Sequence, residues 1–573
     1  MRPYIIWITT LLFQAVLFPS SQALAQQTNT IGRVMPADAA PLDQQKFRFF
    51  EVDGTYMEWF KTIYKRSPAT NLISEPLVRQ DKNYELVPAG AKSWEATPDG
   101  FTWIFHLRAG MQWDDGRPFT AHDYVFTFRR GADPANAYDF EWYYQQIKNW
   151  RAVVGRKLPV DSLGVVAIDD TTLAVTTEQP VPYLPHNLMQ SWASPEHAIA
   201  KYGDEWSTKP EWSVSSGPFK LSDWQKNDII VLDANPMYRG SQPPYLEQVI
   251  IRTFGQCAQP LLLSSYAANE VDMILVSGQA SLGRVKSDPI FSNELHSMVN
   301  FVTFYLTMDT FNPPFNDIRV RQAFSHTVDR DALLRSALRD IGVAAYSMLP
   351  PGFPGARPEA FKETQGYNPE RGRQLLAEAG YPDGKGFPQV DIWIRSLDAD
   401  QTRVPTEGVQ AMIKDALNIH VGVRVIERKV FTDGLNNHEV ALALVPYSQD
   451  YPDPSNLLSL WLSSGRHAWH DDAFERLIHQ GNEYMGNRRD RFNIYHEAER
   501  RLVEDVGGIF IWHPMEHRLW KSNFHSPDLT TNRLGMQPWN GRALMTGYFR
   551  NRENPVTTSV VDQLWTWIKT ALD

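Results

Sequence analysis

The chain carries a single cysteine, Cys257, in 573 residues. It cannot form an intramolecular disulfide, so burial and hydrogen bonding must hold the fold together. An oxidising compartment is tolerated but not exploited. Beyond the N-terminus, no uninterrupted apolar stretch reaches the roughly 20 residues that a bilayer span needs. Blocks of Lys and Arg are missing, and the formal net charge is −10. That balance argues against binding a phosphate backbone, so no nucleic-acid partner is expected. The patterns G-x-S-x-G and G-x-x-x-x-G-K-[ST] are also absent, which leaves no support for a hydrolase elbow or an ATP site.

Aromatic residues are plentiful: 19 Trp, 22 Tyr and 29 Phe. They serve cores first, but aromatic walls also line ligand clefts. Arg2, the apolar run over 5–18 and the small-x-small pair Ala23 and Ala25 predict a cleaved export signal over 1–25. No cysteine follows that run closely, so a lipid anchor is not expected, and the exported chain is expected in the periplasm. The remainder is well beyond the roughly 250–300 residues at which one core stops growing, which predicts two or three domains.

Strand and helix periods alternate along the chain. "TPDG" at 97–100 is a turn, and "FTWIFHLR" after it has strand period, with Phe101, Trp103, Phe105 and Leu107 on one face. Thr120, with Asp123 three residues on, predicts the N-cap of a helix over "AHDYVFTFRR". A strand is expected over 171–177, a helix ended by Gly203, and a hairpin over "FKLSDWQKNDIIVLDAN". Residues 317–338 read as one helix, 369–381 as a short helix stopped by Gly380, and 407–417 as a helix between the strands "VDIWI" and "VGVRVIE". The tail over 559–573 reads as an amphipathic helix. The class is α/β with mixed sheets.

Six stretches, in order, resemble one family. They are the segment 86–130, "AIAKYGDEWSTKPEWSVSSGPFKLSDWQKNDIIVLDANPMYRG", "PPFNDIRVRQAFSHTVDRDALL", "GYNPERGRQLLAEAGYPDGKGFP", "YSQDYPDPSNLL" and "DRFNIYHEAERRLVEDVGGIFIWHP". The chain is similar to the extracellular solute-binding proteins of ABC importers, in the peptide/nickel group (family 5), and most of all to its oligopeptide binders. The resemblance implies a periplasmic-binding-protein-like clamshell (type II) with two lobes and three structural domains. Domain I would hold 26–70, 198–303 and 508–573, domain II 71–197, and domain III 304–507. It further implies a monomer that closes on a small solute, most simply a peptide, and then docks on permease subunits in the inner membrane.

The resemblance also assigns candidate site residues. Asp450 stands where the family's Asp pairs with a peptide ammonium group. A carboxylate that loses solvent as a cleft closes attracts such a cation more strongly than a surface carboxylate does. Asp453 precedes Pro454 and reads as a helix cap. Tyr447 and Tyr451 are candidate aromatic walls. Pro446 and Ser448 are candidate backbone partners for a peptide lying as an added strand. Ser215 and Ser216, in "SVSSGPF", match the family's crossover near the hinge. Relatives often have an Arg six residues before the key Asp, for the far end of the peptide. Here that position is Leu444, and Arg395 or Arg403 are its nearest substitutes in sequence.

Two other readings stay open at this level. One is a non-peptide solute on the same fold, such as an oligosaccharide, an opine or a metal chelate. The other is a secreted hydrolase using Asp450 with Asp453. "HEAER" lacks the second His of a zinc-protease motif, and Pro514 interrupts any helix that would pair His513 with His517, so no metal site, catalytic residue or cofactor is assigned.

Overall fold

The computed structural model describes residues 27–254, 259–539 and 541–551. The export signal expected over 1–25, Cys257 and the helix expected over 559–573 lie outside the described residues.

The thirteen-residue strand Gly508–Trp520 links the two halves of the molecule. Its first half pairs antiparallel with Val302–Met308, with Phe304 opposite Trp512 and Thr307 opposite Gly508. Its second half pairs with Leu295–Val299 and, around Leu519, with Met273–Leu275. The result is a single mixed sheet of twelve strands. On one side it continues through Leu442–Ser448 and Val390–Arg395 to Val421–Ile426. On the other it continues through Lys46–Val52, Gln248–Phe254 and Ile229–Ala234 to Phe219–Gln225. Each end has its own apolar core, one around Leu306, Ile392 and Ile413, the other around Phe47, Leu232 and Val249. The fold is therefore the expected α/β clamshell, with two lobes joined through a shared strand.

Residues 71–197 add no strand to that sheet. They form a four-stranded sheet in the order Ala91–Ala96, Thr102–Leu107, Thr172–Thr176, Val165–Asp169. Its core is aromatic, with Phe105, Trp113, Tyr124, Phe128, Tyr144 and Trp150 fully buried. Local chemistry explains these elements. In Thr102–Leu107 the alternating Phe105 and Leu107 are buried, while Ile104 and His106 between them are part-exposed. Thr120 and Asp123 form a reciprocal capping box at the start of Ala121–Ala132. Gly203, at φ +61°, ends Glu196–Tyr202 in a conformation that costs glycine little. Phe219–Gln225 and Ile229–Ala234 form the expected hairpin.

Two helices differ from expectation. Residues 317–338 form two helices, Ile318–Thr327 and Arg330–Arg335. Val328 is extended between them, and the Asp329 side chain caps the second helix by accepting the Ala332 N–H at 2.8 Å. The helix that ends at Leu417 begins at Ala399, ahead of the expected Glu407. Its first turn is tied down by Thr402 Oγ1 donating to the Asp398 carbonyl. His513 and His517 both lie in the long strand and bond separately. His513 Nδ1 meets Thr303 Oγ1 at 3.1 Å, and His517 Nδ1 meets Ser297 Oγ at 2.7 Å. Among the described residues, no group of three or more His, Cys, Asp or Glu is placed to hold a metal, and no helix is long and apolar enough to cross a membrane.

Gly217 ends the "SVSSG" stretch, and its N–H donates to the Ile73 carbonyl at 2.9 Å. A Cβ at this position would lie 2.5 Å from the Leu72 carbonyl oxygen and 2.6 Å from the Ile73 carbonyl carbon. Both obstacles are backbone, so no side-chain rotation relieves the clash. Gly217→Ala is expected to destabilise the protein by about 2 kcal/mol or more. A lowered urea midpoint checks this; a midpoint equal to wild type contradicts it.

Candidate functional site

The strand Leu442–Ser448 carries its side chains alternately into two cores. Leu442 and Leu444 enter one core, while Ala443 and Val445 enter another with Tyr305 and Trp461. Leu444 is 1% exposed, so the position that bears an Arg in relatives is filled here by a packed core side chain. Pro446 and Tyr447 are half-buried and Ser448 is exposed as the strand emerges. Tyr447 continues the face of Ala443 and Val445.

The chain then turns through Gln449–Asp453. Asp450 is held from four directions. Its Oδ2 accepts hydrogen bonds from Tyr447 Oη and from Asn456 Nδ2, each at 3.0 Å. Its N–H donates to Asn456 Oδ1 at 2.8 Å, and its carbonyl accepts from Gln190 Nε2 at 2.8 Å. Oδ1 has no hydrogen-bond partner among the described residues. The side chain sits deep yet keeps part of its surface open. Burial pushes the Asp450 carboxyl above the usual carboxylate range, opposed by the bonds from Asn456 and Tyr447 and by the nearby charge of Arg466. The Arg466 guanidinium lies 5.6 Å from the Tyr447 ring centroid and, among the described residues, forms no ion pair.

Asp453, three residues on, has a different fate. Its side chain caps the helix Pro454–Leu458 by accepting the Ser455 N–H at 3.1 Å, with Pro454 in the first turn. Both of its oxygens also receive Arg491, at 2.6 and 2.7 Å. Arg491 itself donates to the Gly481 carbonyl and to Tyr495 Oη. Both charges are nearly inaccessible, at 3% and 6% exposure, so the pair is desolvated as well as bidentate. Burial alone would raise the Asp453 carboxyl; the Arg491 charge overrides it and holds it down at about 2. With both oxygens occupied, Asp453 has none left for acid–base work beside Asp450.

Tyr451, between the two aspartates, is buried in the neighbouring lobe. Its ring stacks on Tyr183 at 5.5 Å and 4°, and meets Tyr143 edge-on at 6.0 Å. Its Oη bonds Ser455 Oγ. Ser215 and Ser216 are also buried. Ser216 Oγ accepts the Glu75 N–H at 3.1 Å, and the Ser215 backbone exchanges bonds with Asp114. The two arginines offered as substitutes for Leu444 are engaged locally. Arg395 pairs with Asp398 at 2.7 Å and Arg403 with Glu407 at 3.0 Å.

Across from the loop, Gln190 connects Asp450 to an aromatic wall. The Gln190 carbonyl accepts from Tyr144 Oη at 2.7 Å, and that hydroxyl accepts from Trp59 Nε1 at 3.2 Å. Sequence reasoning missed Gln190, Asn456, Arg466 and Arg491. Only Asn456 carried a local signal, as an amide just inside the helix that Asp453 caps.

Asp450 thus stands at the junction of two lobes that share one strand. The model of the bacterial extracellular solute-binding proteins, family 5, matches residues 85–469. The chain belongs to that family. Of its relatives, the probable deoxycholate-binding periplasmic protein YgiS of Escherichia coli is 34% identical over 438 residues, 74% of this chain and 79% of the relative. The periplasmic oligopeptide-binding protein OppA of Salmonella typhimurium is 31% identical over 457 residues, 78% of this chain and 82% of the relative. Among solved structures, the Escherichia coli murein tripeptide-binding protein MppA superposes with a TM-score of 0.69, covering 90% of this chain and 99% of that one at 22% identity. At that identity the superposition speaks for the fold alone.

The two aspartate sites of this family 5 chain are predicted to differ in what mutation costs the fold. Arg491→Ala leaves Asp453 as an unpaired buried charge and is expected to cost about 3–5 kcal/mol. Asp450→Asn keeps the size and one acceptor, and should change the unfolding midpoint of the unliganded protein little. Because the Asp453 carboxyl is depressed in the fold, its contribution is complete above the ordinary carboxylate range, near about 4, and is lost as pH falls through about 2. Denaturant midpoints of wild type and Arg491→Ala, measured from pH 7 down to 2, should therefore converge at the acid end. Parallel curves contradict the assignment.

Proposed function

We propose that this protein is the periplasmic substrate-binding subunit of an ABC importer, a monomer that captures peptides between its lobes and delivers them to an inner-membrane permease. It binds without chemistry. The observation that carries the reading is Asp450: one oxygen is fixed by Tyr447 and Asn456, the other has no partner among the described residues, and the group is deep but not sealed. A free ammonium group satisfies that oxygen and neutralises a charge that the site has already partly desolvated. Tyr447 supplies both a hydrogen bond to Asp450 and one wall of the site. Pro446 and the exposed Ser448 offer backbone groups to an extended peptide beside them. Tyr451, Ser215 and Ser216 act as supports: Tyr451 seats the loop against the other lobe, and the serine pair anchors the crossover segment. The separate four-stranded sheet over 71–197 supports the three-domain division, with 26–70, 198–303 and 508–573 as domain I and 304–507 as domain III.

The name of YgiS favours a second reading. Deoxycholate bears a carboxylate and no amine, so a ligand of that kind would leave Asp450 without a partner.

Thermal-shift measurement on purified protein separates these readings. A binding protein is stabilised by about 2.7 kcal/mol when ligand is a hundredfold above Kd. Short peptides with a free N-terminus should raise the melting temperature, and their N-acetylated forms should fail or bind much more weakly. Asp450→Asn should remove that distinction. The raised Asp450 carboxyl adds a sign: peptide affinity falls as pH drops, beginning above the range in which an exposed aspartate titrates. A shift with deoxycholate and none with any peptide overturns the peptide assignment. Peptide recovered cleaved after incubation overturns binding without chemistry.

A further inference from the structure

The far end of a captured peptide lacks its family partner, because Leu444 is buried in a core. The structure links another cation, Arg66, to the Asp450 loop. Arg66 lies in the segment that follows the strand Lys46–Val52, which runs parallel to Gln248–Phe254, so the segment leaves at the carboxyl end of a parallel pair. Ligands of α/β folds collect at such ends. Its backbone is fixed by a parallel bridge to Tyr56, and the following Ser67 N–H donates to the Tyr56 carbonyl at 2.7 Å.

The guanidinium is packed against indoles. Its central carbon is 4.3 Å from the Trp59 ring centroid and 5.6 Å from that of Trp192. Such contacts fix the plane of the group and leave its N–H edge to bond elsewhere. Among the described residues no carboxylate lies within ion-pair distance of Arg66, and no hydrogen bond involves its side chain. Trp192 Nε1 is buried and likewise without a hydrogen-bond partner. Burial pushes the Arg66 guanidinium down to about 10, with Tyr138 and Glu51 within electrostatic reach but too far to pair. Arg79 and Arg130, by contrast, are paired with Glu75 and Glu58.

Arg66 also shares a hydrogen-bonded chain with the ammonium site. Trp59, on which it rests, donates to Tyr144; Tyr144 donates to the Gln190 carbonyl; and the Gln190 side chain donates to the Asp450 carbonyl. A desolvated cation and a desolvated anion therefore stand at the two ends of one hydrogen-bonded chain, each lacking a full set of partners among the described residues. We infer that Arg66, with Trp192 Nε1 beside it, is the anchor for the ligand's carboxylate, and that it takes over in this chain the role that Leu444 has lost. The inference rests on the peptide reading, in which the carboxylate is the peptide C-terminus, but the chemistry applies to any carboxylate that enters.

Isothermal titration with one set of tripeptides, as free acids, C-terminal amides and N-acetyl forms, tests it, with deoxycholate as a separate arm. Wild type should bind the free acid about tenfold or more tighter than the amide, the scale of one charge-assisted hydrogen bond. Arg66→Gln should bring acid and amide within about threefold of each other on that same scale, while the penalty for N-acetylation persists. Arg66→Lys, which keeps the charge but loses the planar fork, should retain part of the preference. The unliganded melting temperature of Arg66→Gln should equal or exceed that of wild type, because an unpaired charge has been removed. Equal affinity of wild type for acid and amide overturns the inference, as does an undiminished preference in Arg66→Gln. If deoxycholate alone binds, and Arg66→Gln abolishes it, the carboxylate assignment stands and the peptide reading falls. If none of these ligands binds, both fall.

Discussion

The strand Gly508–Trp520 constrains everything else in the molecule. Its first half belongs to one core and its second half to the other, so the two lobes cannot separate as independent bodies. The neighbouring strand passes from Leu295–Val299 to Val302–Met308 over the same stretch, with the Asn300 N–H bonded to the Pro514 carbonyl. Pro514 lacks an N–H, and it sits where pairing in the sheet passes from one lobe to the other. A clamshell joined this way closes by small backbone changes at the crossing, while the sheet on each side remains rigid. Binding groups on opposite lobes can then be brought to one ligand without either lobe reorganising internally.

The loop that carries Asp450 is built on that rigidity. The bidentate pair of Asp453 with Arg491 ties one end to the helix Arg488–Glu504, and the pairing of Leu442–Ser448 ties the other. Tyr451, inserted between Tyr183 and Tyr143, carries the loop across to the second lobe. Two carboxylates three residues apart thus do unlike work. The fully paired one spends its charge on position, and the half-paired one keeps an oxygen without a protein partner among the described residues. Deep burial with incomplete pairing is costly for a fold and useful for a receptor, because the incoming group supplies what the protein omits.

Much of this was legible in the sequence wherever the cause is local. The Thr120 cap, the strand at Thr102–Leu107, the hairpin after Phe219 and the cap at Asp453 each follow from neighbours within a few residues. The division of 317–338 into two helices is also local, since Asp329, inside a run of helical period, is the cap of the second helix. The remainder was hidden because its partners are remote. Arg491 meets Asp453 across 38 positions, Gln190 meets Asp450 across 260, and Arg66 reaches its indoles only after the lobe has folded. Resemblance could point to the place of Asp450 and to the lost Arg at Leu444. It could not single out Arg66, because that residue is identified by burial and missing partners, neither of which one sequence displays.

The central claim is that a peptide ammonium group completes the coordination of Asp450. A crystal structure of the protein with a bound tripeptide tests it most directly. The account predicts the peptide nitrogen at about 3 Å from Asp450 Oδ1, with Tyr447 and Asn456 still bonded to Oδ2. A peptide bound with its amine elsewhere, or Asp450 turned away to pair with Arg466, would contradict it.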